Sequence, residues 1–181
     1  PVDEALRLAA ERIGDYHQRQ LGALGQSWDF EDALGNVLGQ RVQPMARVGV
    51  YAPGGKACYP STVLMTAIPA KVAGVASVVL TVPAKGGTMS PVLLAAAHYA
   101  GVDEAWIMGG AQAIAAMAYG TQSVAAVDKI CGPGNVFVTA AKKQVYGDVG
   151  IDMLAGPSEV LVVADDSARV DWIIADLLAQ A

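Results

Sequence analysis

The chain has 181 residues, of which 54% are hydrophobic and 16% charged, with a formal net charge of −5. That length suits one to one and a half domains with a core needing no staples; the composition is too apolar for disorder, and the acidic balance argues against a nucleic-acid partner, which calls for a basic stripe. Charged residues fall below the roughly 25% of an ordinary globular domain, which predicts apolar faces that meet further chain or a second subunit.

Residues 3–24 read as an amphipathic helix, with Leu6, Ala9, Ala10, Ile13 and Tyr16 at helical spacing. Trp28 to Pro44 predicts a short β-hairpin turning around Leu34-Gly35-Asn36. From Arg47 the rhythm becomes strand, loop, helix, repeated four times. The strands are expected at 48–51, 77–82, 105–108 and 127–130, and the helices at about 60–73, 91–100, 111–119 and 135–146. The turn Ala155-Gly156-Pro157-Ser158-Glu159 follows, then a hydrophobic strand and a helix from about Arg169. Short apolar strands alternating with helices predict an α/β fold: a parallel, Rossmann-like sheet covered on both faces. The last helix is still amphipathic at Gln180-Ala181, so its packing is expected to be completed by chain that follows.

The longest apolar run, Val63–Val82, is interrupted by Pro69 and Lys71, so no membrane span is expected. Pro1-Val2-Asp3-Glu4 lacks the basic start of a secretory signal. Cys58 and Cys131 are far apart and suit reduced thiols, which points to a cytoplasmic location. His17 and His98 sit inside predicted helices without a second ligand at metal spacing. Trp28, Trp106 and Trp172 read as packing residues, and Asp165-Asp166 as a solvated turn.

Ligands of parallel sheets bind beyond the carboxyl ends of the strands, and that rule selects four loops. Tyr51–Lys56 joins two glycines to one cation, a candidate anion contact or a plain glycine turn with a solvated lysine. Pro83–Gly87 follows the second strand. Gly109-Gly110-Ala111-Gln112 opens a helix with free amides, fit for an anion or for close helix packing. Cys131-Gly132-Pro133-Gly134-Asn135 repeats the device, with Asn135 at a helix cap. None of these loops carries the P-loop spacing or the Gly-x-Gly-x-x-Gly fingerprint. The loops have the makings of a nucleotide site, but no general base or closed metal shell accompanies them.

The stretches Val50–Lys56, Tyr59–Met65, Gly109–Ala113, Asp128–Asn135 and Gly150–Glu159, in this order, resemble the histidinol dehydrogenases. These are zinc-dependent enzymes of the last two oxidations of histidine biosynthesis. The resemblance implies NAD contacts at Tyr51, Gln112 and Asn135, a substrate contact for L-histidinol at Ser158, and a residue serving both substrate and zinc at Gln180. The family's acid/base glutamate and histidine and its other zinc ligands lie further along than Ala181, so no catalytic residue is expected here and no turnover by the chain alone. The resemblance also implies a Rossmann-like NAD-binding domain at 48–157. The flanks, 1–47 and 158–181, would belong to a second α/β domain, and the whole to a homodimer. Two other readings remain open: a related dehydrogenase of another small polyol such as a sulfonated diol, or a non-catalytic nucleotide-binding module.

Overall fold

The computed structural model describes residues 1–54, 58–156 and 158–179. A helix α1 (Val2–Ala23) leads into an antiparallel hairpin, β1 (Trp28–Glu31) and β2 (Val37–Gln40). The main unit then alternates β3 (Arg47–Tyr51), α2 (Pro60–Val72), β4 (Ser77–Thr81), α3 (Pro91–Tyr99), β5 (Glu104–Trp106), α4 (Gly110–Tyr119), β6 (Lys129–Cys131), α5 (Val136–Val145) and β7 (Gly150–Ile151). A last helix, α6, spans Val170–Leu178.

The five strands β3–β7 form one parallel sheet in the order β5-β4-β3-β6-β7. The chain therefore starts at the centre, runs outward through β4 and β5, and returns to lay β6 on the other side of β3. This reversal makes the β3–β6 boundary a topological switch point, the place where open parallel sheets ordinarily offer a ligand crevice.

Alternation along the strands divides the core. Val48, Val50, Val78 and Leu80 pack with Leu6, Val63, Leu64 and Leu93 of α1, α2 and α3. Tyr51, Val79 and Ile130 pack with Ile114, Met117 and Val138 of α4 and α5. Val50, Leu80 and Ile130 have no exposed surface, and burying each such side chain contributes about 1.5–3 kcal/mol. Strand runs buried on both sides are why 47–51 and 77–81 read as near-continuous apolar segments.

The amino end of the sheet is latched by charge. The Arg47 guanidinium donates to both Glu104 carboxylate oxygens at 2.9 and 2.8 Å and to Ser77 Oγ at 2.6 Å. Its backbone N–H donates to Asp128 Oδ2 at 2.8 Å. Lys71 Nζ and the Val78 N–H both donate to Asp103 Oδ2, at 2.6 and 2.7 Å. Hydrogen bonding to Glu104 raises the Arg47 pKa, and the same guanidinium lowers that of Glu104. Burial alone would raise Asp103, but Lys71 and the Val78 amide outweigh it and hold the carboxyl below its ordinary range.

The flanks pack differently from the expectations. The hairpin turn forms where Leu34-Gly35-Asn36 predicted it, with Asp32 Oδ1 accepting the Leu34 and Asn36 N–H groups at 2.8 and 2.9 Å. Every residue of β1 and β2 is exposed, however, so Trp28 is no core residue; it stacks on Phe30 at a ring separation of 6.1 Å. The hydrophobic strand expected after Glu159 is absent. Val160, Leu161 and Val163 pair with no strand among the described residues, and Leu161 and Val163 are 88% and 89% exposed. An apolar run becomes a strand only where another strand offers it a hydrogen-bonding edge. Helix α6 buries none of its residues, and Trp172 lies beneath the Arg169 guanidinium instead of in a core. Trp106 does pack against the α4–α5 side, as expected. Among the described residues no helix is long and apolar enough to cross a membrane.

Candidate functional site

The carboxyl ends of β3, β5 and β6 bring three of the predicted site residues to one end of the sheet. Tyr51 closes β3 with its ring 3% exposed beneath α4, and its hydroxyl accepts the Gly110 N–H at 3.1 Å. The phenol is thus a post under the first turn of α4. Gly109 lets that turn settle against the β4 loop: a side chain there would put its Cβ 2.4 Å from Pro83 Cβ.

The N-cap residue of α4, Gly109, has no side chain with which to cap it. Gly110 donates to Tyr51, while the amides of Ala111 and Gln112 have no partner among the described residues. Unsatisfied amides at a helix start carry partial positive charge and suit an anionic oxygen. Gln112 is exposed, with its side-chain oxygen folded back over Gly110.

Helix α5 is finished differently. Asn135 Oδ1 accepts the N–H groups of Phe137 and Val138, both at 3.1 Å, so the cap is made by the oxygen of an exposed residue whose NH₂ bonds nothing among the described residues. Ahead of it, Gly132 passes so close to β3 that a Cβ would lie 2.0 Å from the Tyr51 carbonyl oxygen, with φ at +118°. Only glycine can stand there.

Sequence reading missed what holds this loop. Lys142 of α5 is 4% exposed and donates to the Gly132 carbonyl at 3.0 Å and to Asp152 Oδ1. Asp152 accepts the Gly132 N–H at 2.7 Å on its other oxygen, and the Met153 N–H at 2.7 Å. Burial alone would raise the Asp152 carboxyl; the bonds from Lys142, Gly132 and Met153 outweigh it and hold the group below the ordinary carboxylate range. Burial, and then the Asp152 charge, push the half-buried Cys131 thiol up, away from the thiolate a nucleophile needs. A signal for Lys142 was available: it shares the 138-141-142-145 stripe with Val138, Ala141 and Val145, the buried face of α5.

The remaining candidates divide into those the structure describes and those it does not. Ser158 is exposed, in a segment that pairs with no strand. Lys56 and Gln180 lie outside the described residues, as does Pro157. His17 bonds Gln20 within α1, His98 is exposed on α3, and Cys58 is an exposed free thiol. No three His, Cys, Asp or Glu side chains gather to hold a metal among the described residues. A separate cavity of about 900 Å³ lies between the end of α1, Val42–Met45 and α2; it reaches Cys131 from the α1 side and shares no lining with Gln112 or Asn135.

The family model described as histidinol dehydrogenase matches residues 1–181. The histidinol dehydrogenase of Moorella thermoacetica is 60% identical over 179 residues, covering 98% of this chain and 42% of that protein. That of Chromobacterium violaceum is 56% identical over 180 residues, covering 99% of this chain and 41% of the relative. The crystal structure of histidinol dehydrogenase from Elizabethkingia anophelis superposes with a TM-score of 0.84 at 41% identity, over 98% of this chain and 41% of that one. The chain spans about two-fifths of the length of the curated relatives it matches.

Proposed function

The chain belongs to the histidinol dehydrogenase family, and on that premise we propose that it forms the NAD-binding part of an enzyme oxidising L-histidinol to L-histidine through histidinal. The observation that carries this reading is the uncapped, small-residue first turn of α4, standing on Tyr51 at the carboxyl end of the sheet. Bound there, NAD would supply the hydride acceptor for each oxidation.

This chain's residues would bind and orient. The amides of Ala111 and Gln112 suit a pyrophosphate oxygen. Tyr51 keeps the turn in place from below, Gln112 offers a neutral donor and acceptor, and the Asn135 NH₂ remains free to donate once its oxygen has capped α5. Ser158 is the proposed substrate contact and Gln180 the proposed contact for substrate and zinc. The donor set described here does not fit zinc by itself, since one neutral glutamine oxygen is a weak ligand.

The division into an NAD-binding unit at 48–157, with 1–47 and 158–181 joining a second unit, is supported by the exposure of the hairpin and of α6, whereas α1 packs through Leu6 into the core of the main unit. A cytoplasmic homodimer is the proposed setting. The test is a chimera in which this chain replaces the matching segment of the Moorella thermoacetica relative. NADH formation from L-histidinol, lost on Gln112→Ala with Asn135→Ala, supports the reading. A folded chimera that reduces NAD only with a sulfonated diol, or with nothing, contradicts it. The 181-residue chain alone is expected to bind NAD without forming NADH.

A further inference from the structure

Lys142 and Asp152 are buried or half-buried ionic groups for which binding and oxidation chemistry have so far required nothing; their side chains are 5% and 30% exposed. A lysine this deep is costly unless its charge is matched and its donors are used. Here its donors go to one carboxylate and one backbone carbonyl, and both partners belong to the same small construction around Gly132.

The construction fixes two consecutive peptide planes. Asp152 takes the Gly132 N–H, which orients the plane joining residues 131 and 132. Lys142 takes the Gly132 C=O, which orients the plane joining residues 132 and 133. Contact with the Tyr51 carbonyl fixes the same residue from the β3 side. Asp152 follows β7 directly and Lys142 lies two turns into α5, so strand, loop and helix are tied at one point. Asn135 begins three residues beyond Gly132, with its cap already set.

We propose that the Lys142–Asp152 pair is a positioning device that holds the Gly132–Asn135 wall of the crevice at its distance from β3 and from the first turn of α4. The ligand so served is the dinucleotide, and in that respect the inference rests on the reading of the crevice given above. Neither residue touches the ligand. Both act through the loop backbone, by removing in advance the freedom that binding would otherwise have to remove.

The test uses Lys142→Met, the double variant Lys142→Met/Asp152→Asn, and Asp103→Asn as a control. The double variant leaves no unpaired buried charge and so retains the fold where the single one fails. Asp103→Asn weakens a carboxylate at the opposite end of the sheet. Amide exchange over 131–135 and NAD⁺ affinity by calorimetry are read for each, with the melting temperature measured alongside. Exchange of the Gly132 amide is expected to quicken about a hundredfold in the clamp variants and not in the control, because local opening no longer breaks the ion pair. NAD⁺ affinity is expected to fall about tenfold in the clamp variants, the response to lost preorganisation, while the control keeps wild-type affinity at a similar melting temperature.

Exchange over 131–135 that matches the control overturns the inference. So does a loosened loop with NAD⁺ affinity within twofold of wild type. If wild type itself fails to bind NAD⁺, the dinucleotide reading falls, and exchange alone then decides whether the pair sets the loop.

Discussion

The two ends of the parallel sheet use their side chains in opposite ways. At the amino end Arg47, Lys71, Asp103, Glu104 and Asp128 bond to one another and to the strand backbone. At the carboxyl end the first turn of α4 has no cap, Asn135 keeps its NH₂ unbonded, and the ion pair among the described residues, Lys142–Asp152, is turned inward onto the backbone. One end is closed by charge; the other keeps neutral backbone donors in reserve and spends its charges on shape. A parallel sheet presents its crevice only at its carboxyl end, so donors left over there remain available to a ligand.

The comparison is broken most severely at Gly132. Gly132→Ala sets a methyl against the Tyr51 carbonyl at a left-handed φ, and a loss of about 3–5 kcal/mol in urea unfolding is expected, together with loss of NAD⁺ binding. An alanine variant of near wild-type stability means that β3 and β6 do not meet as described. A smaller change separates the ends. Glu104→Gln removes the charge from a two-pronged bond to Arg47 and is expected to cost about 1–2 kcal/mol with NAD⁺ affinity unchanged.

Acid titration sharpens the same contrast. Asp103, Glu104 and Asp152 are all held below their ordinary range. A carboxyl whose pKa is lower folded than unfolded adds stability that is fully present above the unfolded value and lost as pH falls through the folded one. The unfolding free energy is therefore expected to be flat above about pH 5 and to drop below about pH 4. The drop is shallower in Glu104→Gln, and a profile identical to wild type contradicts the role of the amino-end latch. The smallest effect belongs to Tyr51→Phe. It takes the acceptor from the Gly110 N–H and costs about 1 kcal/mol or less, with NAD⁺ binding a few-fold weaker in calorimetry.

Much of this was legible in the sequence, for particular reasons. Strands 47–51 and 77–81 are apolar on both faces, Pro60 and Pro91 open their helices at a first turn, and strand-end glycines mark the loops. The histidinol dehydrogenase resemblance rested on several such loops in order, and the family match bears it out. What failed to read were features decided by distant partners. Val160–Val163 has strand composition but no edge to pair with, Trp28 and Trp172 have aromatic mass but no core to enter, and β7 is two residues long, defined only by β6 beside it. The resemblance put Tyr51 at the ligand site; no sequence signal showed that β3 alternation turns its ring toward α4, where its hydroxyl accepts the Gly110 N–H. Lys142 was hidden by its type: a lysine on a helix is ordinarily solvated, and only the stripe it shares with Val138 and Val145 marks it as inward.

The central claim is that a dinucleotide enters at the carboxyl end, beside the uncapped turn of α4. Titrating NAD⁺ into the isotope-labelled chain and following backbone amide signals tests it directly. Saturable shifts at Ala111, Gln112 and Asn135, with Arg47, Ser77 and Asp103 unmoved, are the predicted result. Shifts centred on the amino-end residues, or none that saturate, would contradict it.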